Sequence, residues 1–156
     1  MKKFPSSDPD YNLFSLLFQT TRAMFRVRAR ELAQYHISPR QSTLLFIIQA
    51  LGDNATLAEM ASWLLLEVHS VSESISRMER DGLVRKVREG KNRLRVVLTE
   101  KGIQAHHQSS KRESVHKLLS CLSAEERLQL GSSLRKLRST ALQEAPWGYE
   151  LSFESM

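Results

Sequence analysis

The chain has 156 residues, of which 41% are hydrophobic, with a net charge of +6 and one cysteine. This size suits one modest domain or two small subdomains, and a single cysteine excludes an intrachain disulfide. No apolar run approaches the ~20 residues of a membrane span, and no apolar stretch of a secretory signal follows Lys2-Lys3. We therefore expect a cytoplasmic protein with no membrane partner, and nucleic acid is the default partner of so basic a chain.

The first helix is predicted from Tyr11 to about Gln34, after a polar lead. Its apolar residues fall on two faces, and a helix that is apolar on more than one face must be covered on more than one side. The first face carries Leu13, Leu16, Leu17, Thr20, Met24 and Val27, and the second carries Phe14, Phe18 and Phe25. Contact with a second copy of the chain is the simplest cover, so this helix predicts a homodimer.

A second helix is predicted to begin with a capping box, in which Ser38 and Gln41 each bond the other's backbone amide. The apolar run at 44–48 indicates that this helix is central and buried. Residues 52–54 end the helix, and residues 55–56 are predicted to form a short strand that pairs with a later hairpin.

Two short helices follow in the arrangement of a helix-turn-helix. Thr56 and Glu59 form a predicted capping box at the start of the first helix, whose apolar residues make one buried stripe. The second helix is predicted from Val68 to Asp81, and Gly82 ends it. Short serine and histidine side chains on its outer face would let the helix sit deep in a major groove. That outer face carries His69, Ser70, Ser72, Glu73, Ser76, Arg77 and Arg80.

A basic hairpin comes next, with predicted strands at 83–87 and 93–98 around a loop at 88–92. Between Arg77 and Arg95, eight basic and three acidic residues give a net charge of +5, nearly the whole excess of the chain. If this segment were an ordinary solvated surface, we would expect basic and acidic residues to be mixed. Contact with phosphates instead explains why the positive charge is concentrated here. The candidate DNA contacts in the hairpin are Arg88, Lys91, Arg93 and Arg95.

The C-terminal part is predicted to contain two long helices and a tail. Thr99 caps a helix over 100–122, and a capping box at 123–126 begins the last helix. The last helix carries the apolar residues Leu128, Leu130, Leu134, Leu137 and Leu142. We expect these leucines to pack with the first helix in a dimer interface. Pro146 cannot continue the helix, so residues 146–156 form a separate tail.

Residues 37–102 resemble the DNA-binding domain of the MarR family of bacterial transcriptional regulators. Four segments carry the resemblance in order: Leu57-Ala58-Glu59-Met60-Ala61, Val71-Ser72, Arg77-Met78-Glu79-Arg80-Asp81-Gly82-Leu83-Val84 and Val96-Val97-Leu98-Thr99-Glu100-Lys101-Gly102. The family usually has Asp-x-Arg at the wing tip, where this chain has Gly90 and Asn92. The resemblance therefore leaves Lys91 or Arg93 to supply the minor-groove contact. A weaker resemblance, at residues 69–72, Asn92 and Arg95, is to a subgroup linked to reductive dehalogenase genes.

The resemblance implies a mostly α fold of the α+β class: a winged helix-turn-helix with a two-stranded wing, plus N- and C-terminal dimerisation helices. Residues 37–99 would form the winged-helix DNA-binding domain, residues 10–36 and 100–145 the dimerisation region, and 146–156 the tail. The implied function is a sequence-specific transcriptional regulator, a ligand-responsive repressor that binds a pseudo-palindromic operator on double-stranded DNA as a homodimer. A non-specific architectural protein that coats DNA is the alternative, because it would use the same charge.

The resemblance also implies a pocket between the dimerisation helices and the DNA-binding lobe, occupied by a small aromatic or phenolic effector. The candidate lining residues are Phe25, Arg28, Tyr35, His36, Phe46 and His107. The aromatic members of this set would equally well fill a core, and the sequence alone leaves both interpretations open.

No motif of an enzyme or metal site stands out, so we expect neither catalysis, nor a cofactor, nor a bound metal. His106 and His107 are adjacent and would point about 100° apart on a helix, which is unsuitable for shared ligation. Cys121 follows Leu118 and Leu119 late in the predicted fifth helix. Free cysteines are among the most buried residues, so we expect a buried structural Cys121 rather than a redox sensor.

Overall fold

The computed structural model describes residues 7–90 and 93–145. Within these ranges the chain forms seven α-helices, one 3-10 turn and a two-stranded antiparallel sheet, which confirms the mostly α winged-helix prediction. The elements are α1 (Pro9–Ala33), α2 (Pro39–Leu51), the 52–54 turn (Gly52–Asn54), α3 (Leu57–Leu64), α4 (Val68–Arg80), β1 (Val84–Glu89), β2 (Arg93–Leu98), α5 (Glu100–Ser109), α6 (Glu113–Leu119) and α7 (Ala124–Glu144).

Helix α1 begins two residues earlier than the sequence analysis predicts. The carboxylate of Asp8 accepts hydrogen bonds from the amides of Asp10 and Tyr11, at 2.9 and 3.2 Å. Pro9 occupies the first helical position. The amide of that position makes no hydrogen bond within the helix, so the missing amide hydrogen of proline does not destabilise the helix. The Asp-Pro pair, assigned to the polar lead, is therefore the start of the helix.

Two of the three predicted capping boxes are complete. Those that begin α2 at Ser38 and α7 at Ser123 have both of their hydrogen bonds. At the start of α3, Thr56 accepts a hydrogen bond from the amide of Glu59 at 3.2 Å. The reciprocal half of this box was predicted wrongly, because the amide of Thr56 donates instead to the carbonyl oxygen of Asn54 at 2.7 Å.

The hydrophobic core lies where α2, α3 and α4 meet the β-hairpin. Its fully buried large side chains are Leu32, Leu44, Leu45, Met60, Val71, Ile75, Met78, Val84 and Val96. Removing one such side chain from water contributes about 1.5–3 kcal/mol. Because three of them belong to α4, the core fixes which side of this helix faces outward.

The hairpin of β1 and β2, residues 84–98 and here called the wing, pairs Val84 with Leu98 and Glu89 with Arg93. Ala55 adds a short third pairing, since its carbonyl oxygen accepts a hydrogen bond from the amide of Val96 at 2.8 Å. This contact confirms the predicted pairing of residues 55–56 with the hairpin, but the pairing is a single bridge and not a strand.

The predicted helix over 100–122 was wrong, because the chain breaks into α5 and α6 at residues 110–112. Arg112 adopts the left-handed region, with φ of 52°. The guanidinium of Arg28 donates a hydrogen bond to the carbonyl oxygen of Ser109 at 2.6 Å. The last carbonyl groups of a helix have no hydrogen-bond partner within the helix, and this contact from α1 provides a partner for one of them at the end of α5. Nothing local in the sequence signals it, since the two residues lie 81 positions apart.

Gly102 lets α5 pack closely on the end of the wing. A Cβ atom at this position would overlap the carbonyl oxygen of Leu83, so only glycine fits. The close packing ties the first turn of α5 to the point where α4 leads into β1.

Helix α7 and the first two-thirds of α1 lie largely outside this core. No residue of α7 is buried, and Leu128 is 73% exposed. None of the helices in the described ranges is long and apolar enough to cross a bilayer. The predicted tail at 146–156 lies outside the described residues.

Candidate nucleic-acid interface and adjoining cavity

Helix α4 turns its polar side away from the core. Val71, Ile75 and Met78 are buried on the inner side, together with Ser74. By helical periodicity, all seven α4 residues predicted to touch DNA lie on the other side. His69, Glu73, Arg77 and Arg80 are exposed there, and Ser70, Ser72 and Ser76 are half-buried.

The basic side chains on this surface differ in whether they already have partners. Arg77 forms an exposed ion pair with Glu73 at 3.9 Å, and such a pair is worth only about 0.3–0.5 kcal/mol. Arg80, Arg85 and Arg88 are exposed, and their side chains make no hydrogen bond or ion pair within the described ranges. These three guanidinium groups are therefore available to an anionic partner.

Lys86 fastens the wing to α4. Its amide donates to a carboxylate oxygen of Glu79 at 2.9 Å, and its ammonium group lies 3.4 Å from the same carboxylate. The ammonium group also donates to the hydroxyl of Ser76 at 2.9 Å. The hydrogen bond from the Lys86 amide is the main reason that the pKa of Glu79 lies below its ordinary value. One of the serines predicted to contact DNA thus also supports the wing.

The two arginines of β2, the second strand of the wing, already have partners within the chain. Arg95 forms ion pairs with Asp53 and Glu89, each at 2.5 Å. Arg93 donates to the backbone carbonyl oxygen of Asp53 at 2.9 Å and to the side-chain oxygen of Asn54 at 3.1 Å. Lys91, the remaining hairpin residue predicted to touch DNA, lies outside the described residues.

A cavity of about 470 Å3 lies between α1, α2 and α6. Three of the six residues predicted for an effector pocket line it, namely Phe25, Arg28 and Phe46. Its other lining residues are Met24, Pro39, Ser42, Thr43, Arg112, Val115 and Leu118.

The other three predicted pocket residues are elsewhere, so the six do not form one site. Tyr35 and His36 line a second cavity, also of about 470 Å3, beside Asp81 and Lys101. His36 adopts φ of 56° in the turn after α1, and this turn carries both residues towards the end of α4. His107 is exposed and lines neither of these two cavities.

Arg28 connects the first cavity to three helices. Its guanidinium forms an ion pair with Glu31, donates to the carbonyl oxygen of Ser109 at 2.6 Å, and lies 3.4 Å from the hydroxyl of Ser42. Ser114 of α6 donates to the same Glu31 carboxylate. Burial raises the pKa of Glu31, but the hydrogen bonds from Ser114 and Arg28 outweigh it and leave this pKa below the ordinary value.

Arg112 and His106 complete the polar surroundings of this cavity. The guanidinium of Arg112 lies over the ring of Phe46, 4.9 Å from its centroid, in a cation–π contact. The ring of His106 lies 6.5 Å from that of Phe46. Burial lowers the pKa of His106, and the charges of His107 and Arg112 lower it further. His107 was predicted to line the pocket, whereas His106 is the histidine that approaches the cavity wall.

The family model of a winged helix DNA-binding domain matches residues 37–102. The organohalide-sensing RdhR transcriptional regulator, solved with 2,4-dichlorophenol bound, is 25% identical. The match covers all of this chain and 96% of that one, with a TM-score of 0.86. A MarR family protein from Bacillus stearothermophilus is 26% identical over 84% of this chain and 94% of its own, with a TM-score of 0.64. The chain therefore contains a winged helix DNA-binding domain, and its fold is that of MarR-family transcription regulators.

A further solved structure agrees with this chain in fold. The S. aureus MepR–DNA complex is 23% identical over 86% of this chain and 99% of that one, with a TM-score of 0.77. No curated protein sequence matches the chain significantly.

Several residues of this interface were missed by the sequence-based prediction, and the exposed Arg85 is one of them. Arg40, at the start of α2, donates to the backbone carbonyl oxygen of Ser70 at 3.1 Å and so stands beside the first turn of α4. The position of Arg40 after Pro39 only weakly indicates a role in this interface, because basic residues are common on helix surfaces. The others are Asp53, Glu79 and Lys86, which hold the wing in place. Their partners lie on other elements of the fold, so no local pattern in the sequence predicts these contacts.

The structure places Cys121 at the surface and not in the core. Cys121 was predicted to be buried, which is wrong: it is exposed after the end of α6. Its thiol approaches the carbonyl oxygen of Leu118 at 3.1 Å. Within the described ranges, no group of three or more histidine, cysteine or acidic side chains has the arrangement of a metal site.

Proposed function

We propose that the chain is a sequence-specific, ligand-responsive repressor that binds a pseudo-palindromic operator as a homodimer. The observation that carries the proposal is the outward face of α4, where short polar side chains lie beside the exposed guanidinium groups of Arg77 and Arg80. His69, Ser70, Ser72 and Glu73 would read base edges in a major groove, while Arg77 and Arg80 would hold phosphates. The wing would place Arg88, with Lys91 or Arg93, in or beside the adjacent minor groove.

The proposed homodimer rests on apolar side chains that the single chain leaves exposed. Those of α1 include Leu13 at 62%, Phe14 at 65%, Leu17 at 40% and Phe18 at 55% exposure. Those of α7 are Leu128, Leu130, Leu134 and Leu137, which are 40–73% exposed. Clustered apolar surface of this kind marks an interaction site. In this proposal residues 10–36 and 100–145 form the dimerisation region, and 37–99 form the DNA-binding domain.

Two-fold symmetry then fixes the form of the operator. Each subunit would present one α4 to the DNA, so the operator would contain two inverted half-sites about one helical turn, ~10 bp, apart. A repressor of this design loses affinity when the distance or tilt between the two α4 helices changes, because both must fit their grooves at once.

The proposed effector is a small aromatic or phenolic molecule in the cavity between α1, α2 and α6. An apolar cavity with a few convergent polar groups is typical of a small-molecule site. Here Arg28 and Arg112 would attract a phenolate or carboxylate, and Phe25 and Phe46 would contact its ring. The related RdhR regulator was solved with 2,4-dichlorophenol bound. Coupling between such sites is typically ~1–3 kcal/mol.

Selection of fragmented genomic DNA by the purified protein at physiological salt, followed by sequencing, tests sequence specificity. Enrichment of a few fragments that share an inverted repeat is the expected result. Recovery spread evenly over the genome would contradict the proposal and favour an architectural protein that coats DNA.

Titration of the protein–operator complex with 2,4-dichlorophenol tests the effector site. The ligand is expected to release DNA from the wild-type protein, and Arg28→Met is expected to abolish this release. Arg26→Met is the matched control, because Arg26 is exposed on the same helix and does not line the cavity. Equal release from the wild type and Arg28→Met would contradict the assignment of the cavity.

A further inference from the structure

Arg95 is held between two carboxylates. The guanidinium group lies 2.5 Å from Asp53 in the 52–54 turn and 2.5 Å from Glu89 on the neighbouring strand. The contact between Nε and Glu89 is an ion pair rather than a well-directed hydrogen bond. The Arg95 side chain is only 23% exposed, so most of it is withdrawn from solvent.

Arg93 strengthens the same connection between the wing and the 52–54 turn. It donates hydrogen bonds to the carbonyl oxygen of Asp53 and to the side chain of Asn54. Its Nε also lies 4.0 Å from the second carboxylate oxygen of Glu89. Both arginines of β2 therefore bind groups of their own chain.

The charges within this cluster cancel. Arg93 and Arg95 contribute two positive charges, and Asp53 and Glu89 contribute two negative ones. To bind a phosphate, Arg95 would have to leave two carboxylates, and charge-assisted contacts of this kind are among the stronger polar interactions. The positive field of the wing therefore comes from exposed side chains such as Arg85 and Arg88, which have no partner in the described part of the chain.

The other strand of the wing is fastened separately. Glu79 of α4 accepts a hydrogen bond from the amide of Lys86 and pairs with its ammonium group. One strand is thus tied to α4, and the other is tied to the 52–54 turn. Two attachments on opposite strands restrict the rotation of the hairpin more than either attachment alone.

We propose that Arg95 is a positioning residue for DNA binding, which holds the wing against the 52–54 turn and does not itself contact phosphate. The proposal rests on DNA binding by the winged domain and needs neither a particular operator, nor an effector, nor the homodimer.

The sign of the effect of Asp53→Asn separates the two possible roles of Arg95. If Arg95 bound phosphate, removing a competing carboxylate would release it and tighten DNA binding. If Arg95 positions the wing, the same substitution loosens the wing and weakens binding. Asp53 has a 90% exposed side chain, so the substitution leaves the core intact.

The experiment measures Kd for a fluorescent duplex of mixed sequence, about three helical turns long, over a range of salt concentrations. Asp53→Asn and Arg95→Met are each expected to weaken binding roughly fivefold to tenfold, and the double variant no further, as in a coupled pair. The salt slope should stay unchanged in Arg95→Met, whereas loss of one phosphate contact lowers it by about 0.9. Tighter binding by Asp53→Asn, or a lower slope in Arg95→Met, would overturn the proposal.

Glu59→Gln is the matched charge control, because it removes an exposed carboxylate from α3 without touching the wing, and it should not weaken binding. Amide hydrogen exchange in the DNA-free protein gives a second readout that does not depend on DNA binding. Exchange over residues 84–98 should accelerate in Asp53→Asn and Arg95→Met. Exchange rates equal to those of the wild type would contradict the positioning role even if no DNA were bound.

Discussion

Arg88→Ala gives the sharpest test of the wing as a DNA contact. Arg88 is exposed on β1, opposite Leu94, and its side chain makes no ion pair or hydrogen bond within the described ranges. Its positive charge is therefore not offset by an acidic neighbour, in contrast to Arg95. Removing it should cost DNA affinity and little stability, because no contact within the protein is lost.

The expected size of the effect follows from counterion release. Each phosphate contact contributes about 0.9 to the slope of log K against log salt concentration, so two copies of Arg88 in a dimer contribute about 1.8. Over a fourfold rise in salt, from about 50 to about 200 mM, the advantage of the wild type over Arg88→Ala should shrink roughly 12-fold.

Fluorescence anisotropy titrations of an operator duplex at several salt concentrations measure this slope. Arg135→Ala is the control, since it removes an exposed arginine from α7 and should leave the slope unchanged. Thermal unfolding of each variant checks that the fold is intact. A slope for Arg88→Ala equal to that of the wild type would refute the assignment of Arg88 to a phosphate or groove contact.

Three further outcomes are expected. Ser72→Ala should change the ranking of operator variants in competition binding by about 1–3 kcal/mol at one position, whereas a uniform loss on every sequence would contradict base reading. Leu134→Glu should shift the protein to a monomer in sedimentation velocity, because it places a charge in the proposed apolar interface, and a persistent dimer would argue against that interface. Because folding lowers the pKa of Glu31, its stabilisation is present above the ordinary value of 4.5 and is lost as the pH falls through the folded value. The stability difference between the wild type and Glu31→Gln in urea unfolding should therefore shrink on acidification; a constant difference would contradict the assigned role.

Most of the fold was predictable because its signals are local. Polar caps at Ser38 and Ser123 mark the starts of α2 and α7. The burial of Val71, Ile75 and Met78 follows from helical spacing alone. Periodicity also defines the outward side of α4, since a residue's angular position on a helix depends only on its distance along the chain.

The break between α5 and α6 could not be predicted, because its causes are not local. The segment contains neither proline nor glycine, and Arg112 adopts a positive φ that its residue type gives no reason to expect. Arg28, far away in the chain, accounts for one open carbonyl group at the end of α5. A hydrogen bond that depends on the packing of α1 leaves no pattern near residue 110.

The partners of the charged residues were hidden for the same reason. The sequence shows a cluster of positive charge in the wing, but not that Arg95 meets Asp53, 42 residues earlier. Likewise, the sequence shows aromatic and basic residues in α1 and in the turn that follows it, without showing that Arg28 and Tyr35 line different cavities. Composition indicates the class of ligand, whereas the availability of each side chain depends on tertiary contacts.

Hydroxyl-radical footprinting on the DNA recovered by genomic selection tests the central proposal most directly. Sequence-specific binding by a two-fold symmetric dimer predicts two protected segments whose centres lie about one helical turn, ~10 bp, apart, centred on an inverted repeat. Uniform protection along the fragment, without a symmetric pair of segments, would contradict this account of how the protein binds DNA.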